Sequence, residues 1–172
     1  VLYGRSELLE AMPPFMAGGD MVDKVTFAKT TFAPLPLKFE AGTANFIGAV
    51  ALAEAIAYLQ RLPQAEVAAH EAHLLAYATE KLSAIEGLTI YGTTVNKAPI
   101  VSFNVAGCDH YDIGMILDKM GIAIRTGHHC AQPVMDRFSV SGMCRASFAL
   151  YNTMSEVDAL VQGINRAVKM LR

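Results

Sequence analysis

The chain has no tryptophan, and only three of its 172 residues are cysteine. Cys108, Cys130 and Cys144 contain no C-x-x-C pair, and any pairing leaves one thiol over. That usage excludes a disulfide-stapled secreted scaffold and suits a reducing, cytoplasmic setting. Charge of either sign is also short: 14 basic against 16 acidic side chains leave a net charge of −2. A chain so balanced offers no broad basic surface for nucleic acid. Charged residues make up 17 per cent and hydrophobic ones 53 per cent, which excludes a disordered chain. No run approaches the roughly 18 consecutive apolar residues of a membrane span, so no transmembrane helix is expected. The opening Val1-Leu2-Tyr3-Gly4-Arg5-Ser6-Glu7 has no signal-peptide pattern and reads as a strand already under way. There is no internal repeat or low-complexity tract. A chain of this length buries about 70 per cent of its unfolded surface, enough for one or two small domains.

Along the chain, residues 6–12 predict a short helix closed by Pro13-Pro14. From Gly18-Gly19 to Glu40, closely spaced Thr and Phe with two later prolines predict an extended or hairpin segment on the surface. Residues 45–61 predict a helix that is apolar nearly all round, through Phe46, Ile47, Val50, Leu52, Ile56 and Leu59. Such a helix is buried on most sides. In so short a chain, part of that cover is expected from a further domain or a partner subunit. Pro63 breaks it, and a second helix is predicted over 64–86, with Gly87 suited to its C′ position. His70 and His73 on that helix miss the H-E-x-x-H spacing, so no metal site is expected there.

The remainder predicts one compact unit. Strands are expected at 88–91 and 100–105, then a helix capped by Asp109 with Ile113, Ile116, Leu117 and Met120 on one face, ended by Gly121. A strand at 122–125, a long loop, and a strand at 143–150 follow. Thr153 and Glu156 form a capping box ahead of a last helix striped by Val157, Leu160, Val161, Ile164, Val168 and Leu171. The order αββαββα predicts an α+β layer, an antiparallel or mixed sheet with helices on one face.

The chemistry gathers in Arg125-Thr126-Gly127-His128-His129-Cys130-Ala131-Gln132-Pro133 and the loop after it. Without periodicity up to Met143, that loop exceeds the roughly 12–15 residues beyond which structureless loops are usually functional. Cys130 follows two imidazoles and lies five residues after a guanidinium. Nearby positive charge favours thiolate over thiol; the alternative is a small hydrophobe in a loop. Arg125 and His128 either tune Cys130, anchor the loop or simply pack. On the strand from Met143, alternation sends Cys144, Ala146, Phe148 and Leu150 to one apolar face and Arg145 and Ser147 to the other. Arg145 is therefore placed to grip a carboxylate with two parallel hydrogen bonds, or else forms a surface ion pair. Thr43 is read as the N-cap of the apolar helix, where a hydroxyl and free amides also suit a phosphate. Cys108 and Cys144 are read as structural.

Residues 125–133, followed by Met143-Cys144-Arg145-Ala146-Ser147 and Tyr151-Asn152, resemble the active-site region of SUF-type (group II) cysteine desulfurases and selenocysteine lyases. These are pyridoxal-phosphate enzymes of the class V aminotransferase superfamily. The likeness runs from Val1-Leu2-Tyr3-Gly4 through Phe39-Glu40-Ala41-Gly42-Thr43 to the last helix. It implies an α/β protein of fold-type I, with residues 1–62 the tail of the large cofactor-binding domain and 63–172 the small C-terminal α+β domain. It implies Cys130 as the persulfide-forming nucleophile and Arg145 as the ligand of the substrate carboxylate. Thr43 would bind the cofactor phosphate of the other subunit in a homodimer, with Ala44 where the family usually has Pro. It further implies L-cysteine as substrate and a sulfur-acceptor protein of iron–sulfur assembly as partner. The family's Schiff-base lysine follows Gly-His, and no lysine here has that setting. The chain is thus expected to be the C-terminal portion of the enzyme, inactive alone. Two other readings stand beside this: a class V relative with different pyridoxal-phosphate chemistry, and a non-catalytic dimerisation or docking module.

Overall fold

The computed structural model describes all of residues 1–172. The chain divides into two compact units, Val1–Arg61 and Leu62–Arg172.

The first unit opens with helix α1 (Ser6–Ala11) and an antiparallel hairpin of β1 (Val22–Val25) and β2 (Thr30–Phe32). The hairpin turn is tied by Thr26, whose Oγ1 donates to the Lys29 carbonyl at 2.8 Å and accepts from its N–H at 3.0 Å. Met21, fully buried, is the one core side chain of this unit. A 3₁₀ turn at Leu37–Phe39 leads to helix α2 (Phe46–Gln60). Two expectations change here. The N-cap of α2 is Asn45, whose Oδ1 accepts from Gly48 N–H at 2.9 Å, and not Thr43. The chain turns just before the helix, with Phe46 N–H on the Ala44 carbonyl at 2.8 Å, so the cap position falls two residues later. A short amide serves there as well as a hydroxyl. The expected burial of α2 is absent: none of its residues is buried, and Phe46, Ile47 and Val50 are 64, 73 and 70 per cent exposed.

The second unit runs α3 (Gln64–Ser83), β3 (Leu88–Tyr91), β4 (Ile100–Val105), α4 (His110–Lys119), β5 (Arg125–Gly127), α5 (Gln132–Phe138), β6 (Met143–Ser147), α6 (Met154–Leu171). The sheet is antiparallel throughout, in the order β3-β4-β6-β5. Helices α3, α4 and α6 cover one face. Leu74, Leu82, Ile113, Leu117, Val157 and Ile164 from the helices meet Val101, Phe103, Cys144 and Ala146 from the strands, all buried. Asp109 caps α4 by accepting from Tyr111 N–H at 2.8 Å, and Thr153 with Glu156 closes both bonds of the capping box on α6. No single helix is long and apolar enough to cross a membrane.

The order is αββαβαβα, one helix more than expected. The additional helix, α5, begins in the supposed structureless loop, with Pro133 in its first turn, where a missing N–H costs nothing. The strand expected at 122–125 pairs instead over Arg125–Gly127. Ile122 and Ile124 pack on the core without a strand partner, and Ile122 N–H bonds to the Leu117 carbonyl at 3.0 Å. Strand β6 stops at Ser147, because Asn152 turns the chain by accepting from Ala149 N–H at 2.9 Å. Helix α3 ends three residues early, and Gly87 (φ +78°) serves the turn into β3, not the helix end.

Candidate active site

The helix-free face of the sheet carries the polar half of each strand's alternation. Register aligns Tyr91 with Ser102, Ser102 with Arg145, and Arg145 with Arg125, giving one row across four strands. Like charges placed directly opposite on neighbouring strands are destabilising. Neither guanidinium has a carboxylate within the protein, the only ion pairs being Arg5 with Glu7 and Asp109 with His110. Arg145 is half-buried, and its Nε–H is buried without an acceptor. Two adjacent guanidinium forks without an acidic partner make a receptor for a planar anion such as a carboxylate.

Beside this pair the chain leaves β5 in a tight turn. Ala131 N–H bonds to the His128 carbonyl at 2.8 Å, and both central residues are left-handed, His129 at φ +54° and Cys130 at φ +58°. That is the type I′ pattern, which favours Gly or Asn, and each non-Gly residue in it costs about 1 kcal/mol or more. The turn presents Cys130 to solvent, with Arg125 Nη2 at 4.0 Å from its Sγ. The structure thus brings together Cys130, Arg125 and Arg145. The His128 side chain is exposed and makes no hydrogen bond within the protein; only its carbonyl does, as the acceptor that closes the turn.

His129 behaves otherwise than its sequence position suggests. Its Nε2 lies 3.1 Å from the Met143 carbonyl, and burial, then the charge of Arg145, push its pKa below the ordinary 6.5. The ring is neutral near pH 7 and adds no positive charge to Cys130. Of the three neighbours expected to bring positive charge to Cys130, Arg125 is the one whose cationic group lies near its sulfur. In the sequence His129 is one of a pair of imidazoles; its hydrogen bond spans 14 positions and leaves no local signature.

The other thiols are set apart by burial. Cys144 is fully buried, and burial, with a smaller push from the Asp109 charge, raises its pKa from 9.0 to about 12. Cys108 is half-buried at the turn between β4 and α4. No group of three or more His, Cys, Asp or Glu side chains is placed to hold a metal. His70 bonds to the Asn152 carbonyl at 2.9 Å. Thr43 belongs to the first unit, exposed, its hydroxyl free of protein partners.

The unit is thus an antiparallel sheet with helices on one face and the thiol turn at the end of edge strand β5. The aminotransferase class-V profile matches residues 1–160, and the chain belongs to that family. Within it, relatives that align along nearly the whole chain include cysteine desulfurases by name. The probable cysteine desulfurase of Vibrio cholerae is 48 per cent identical over 171 residues, covering 99 per cent of this chain and 42 per cent of the relative. The probable cysteine desulfurase 2 of Mycobacterium leprae is 49 per cent identical over 98 per cent of this chain and 41 per cent of its own length. The crystal structure of the Escherichia coli cysteine desulfurase CsdA superposes with a TM-score of 0.91 at 39 per cent identity, over 99 per cent of this chain and 42 per cent of that one. The chain therefore spans about two-fifths of the length of the relatives it matches.

Proposed function

We propose that this chain carries the nucleophile and the carboxylate clamp of a cysteine desulfurase, which converts L-cysteine to L-alanine and holds the released sulfur as a persulfide. The observation that carries the reading is the solvent-facing Cys130 thiol beside Arg125, with Arg125 directly opposite Arg145 in the sheet.

Arg145 binds the substrate carboxylate in a two-pronged grip, and Arg125 adds a second positive charge on the same side. The bound amino acid is held with its sulfur towards Cys130. Pyridoxal phosphate, when bound, supplies the electron sink that lets the substrate's carbon–sulfur bond break. The Cys130 thiolate attacks the substrate sulfur, a sulfur–sulfur bond forms, and the electron pair of the broken bond stays with the carbon, which takes up a proton and leaves as alanine. No external oxidant is needed, because the carbon that keeps the electron pair and gains the proton is reduced by the same two electrons that the sulfur loses on becoming a persulfide. Selenocysteine would engage the same residues. A sulfur-acceptor protein of iron–sulfur cluster assembly then takes the persulfide sulfur.

The residues suit the cofactor only in part. The free, exposed Thr43 hydroxyl ahead of α2 fits a phosphate ligand. No lysine fits the Schiff base: Lys38 donates to the carbonyls of Leu9 and Glu10, Lys97 to that of Gly92, and none follows Gly-His. We assign 1–62 to the cofactor-binding domain and 63–172 to the small domain, and a homodimer in which Thr43 faces the partner's cofactor. Turnover by these 172 residues alone is not expected.

The test uses the protein at the full length of its relatives, with pyridoxal phosphate and L-cysteine. Mass spectrometry should find one added sulfur on the Cys130 peptide. Cys130→Ser should abolish it without altering the cofactor absorbance. Undiminished persulfide in that variant, or persulfide on Cys108 or Cys144, would overturn the assignment.

A further inference from the structure

The turn that presents Cys130 is held in a conformation its sequence disfavours. His129 and Cys130 are consecutive left-handed residues, and neither is Gly, Asn or Asp. Histidine tolerates the region better than most side chains; cysteine does not. One backbone bond, Ala131 N–H to the His128 carbonyl, closes the turn and does not tie it to the sheet. The side-chain tie is His129. A carbonyl only accepts, so the 3.1 Å contact to the Met143 carbonyl fixes the proton on Nε2 and leaves Nδ1 as a bare acceptor. That Nδ1 is buried without a partner, as is the Arg145 Nε–H two residues beyond Met143. The neutral ring is thus anchored to the strand that carries the clamp, with its lone pair in the region where Arg145 sits unpaired. Arg145, Arg125 and His110 are the cationic or titratable groups that act on the ring, and the two guanidiniums favour this uncharged state.

Resting on the assignment of Cys130 and Arg145 above, we propose that His129 is a positioning residue: its Nε2–H bond to the Met143 carbonyl locks the thiol turn to β6 and sets Cys130 at a fixed offset from the carboxylate clamp. The β5–β6 ladder ends at Gly127 opposite Met143; beyond it, the distance from the nucleophile to the bound carboxylate depends on this one side-chain hydrogen bond. Removing it leaves the thiol chemically intact and the clamp present, but lets the strained turn relax away from β6.

The test compares two alkylating probes of Cys130. In both the thiolate displaces iodide, but iodoacetate carries a carboxylate and iodoacetamide does not. With each rate normalised to that of free cysteine, the wild-type protein should prefer iodoacetate, and Arg145→Ala should lose the preference. In His129→Ala the preference should fall roughly fivefold to tenfold, the worth of one hydrogen bond, while the iodoacetamide rate holds. Silence of buried Cys144 reports that the variant is folded. His129→Gln, whose amide N–H reaches where Nε2–H did, should restore the preference. His129→Asn, which suits the left-handed backbone but ends short of Met143, should not. A preference unchanged in His129→Ala overturns the positioning role and leaves the clamp standing. Restoration by Asn reduces His129 to a backbone role, and failure of Gln reduces it to bulk; either overturns the proposal. Absence of any wild-type preference overturns the site assignment itself, and the positioning role with it.

Discussion

Raising the pH from 8 to 10 should destabilise this protein through Cys144 specifically. The thiol is fully buried on the core face of β6, near the His110 carbonyl at 3.6 Å, and its pKa is raised from 9.0 to about 12. Unfolding returns it to water and to the ordinary value. Between these two values the unfolded chain gives up the proton and the folded chain keeps it, so the folded state binds more protons and stability falls as pH rises. The contribution is complete below pH 9.0 and gone above about pH 12. Integrated to pH 10, the loss is about 1.4 kcal/mol, and the ceiling is about 4 kcal/mol. With an m-value of about 2 kcal/mol per molar, the urea midpoint should drop by about 0.7 M. Cys144→Ala provides the control. It costs a fixed amount for the small cavity, about 1 kcal/mol, but lacks the titrating group. The advantage of wild type over the variant should therefore close between pH 8 and pH 10 and reverse slightly by the upper end. A gap that stays constant would refute the reasoning and mean that Cys144 ionises in place.

Arg145→Ala, in the protein at the full length of its relatives, should raise the KM for cysteine roughly tenfold to a hundredfold, the worth of a charge-assisted hydrogen-bond pair. Persulfide should still form at saturating cysteine, and a selective fall in kcat would place Arg145 elsewhere in the chemistry. Thr153→Ala should cost about 1 kcal/mol in urea denaturation by opening the cap of α6. Glu156, held below the ordinary carboxylate range by the Thr153 N–H and the Asn152 amide, contributes above pH 4.5. Its contribution should fade as pH falls through its lowered value, so Glu156→Gln should converge with wild type at acid pH. The 172-residue chain should self-associate through α2, whose large apolar side chains are exposed on all sides. A clean monomer in sedimentation velocity at high concentration would count against that.

Much of the second unit is legible in the sequence because local and tertiary signals agree there. Asp109 and Thr153 cap the helices they precede, and the buried residues of α6 follow the apolar stripe. From Cys144 onward strand β6 alternates as its sequence does, although Met143 before it is buried too. The misses share a cause: two local solutions competed and the tertiary context chose. Thr43 and Asn45 are both good caps, and a turn at Ala44 decided between them. Ile122 and Ile124 read as strand because they are apolar and alternate, yet the core takes them without a ladder partner. Helix α5 is only seven residues long, too short for periodicity to register, and Pro133 was its one sequence signal. At the site, the chain names Cys130 and Arg145, but the charge state of His129 follows from burial and the charge of Arg145, which no local pattern shows.

The opposite fates of Cys144 and Arg145 follow from register. Adjacent in β6, they face opposite sides of the sheet: Cys144 lies opposite Phe103 on the core side, and Arg145 opposite Ser102 and Arg125 on the other. A slip of one residue would exchange every side chain between the faces. It would bring a guanidinium into the layer of Val101, Phe103 and Ile164, where an unpaired charge costs several kcal/mol. The same slip would turn Cys144 and Ala146 outward and remove the clamp from the thiol turn. The core that fixes β6 against β4 therefore also fixes the repulsive juxtaposition of Arg125 and Arg145. The two guanidiniums remain facing each other because moving either one inward is worse. On the proposed reading, a carboxylate bound there would relieve a strain the core has already imposed, and part of its affinity would come from the packing on the far side of the sheet.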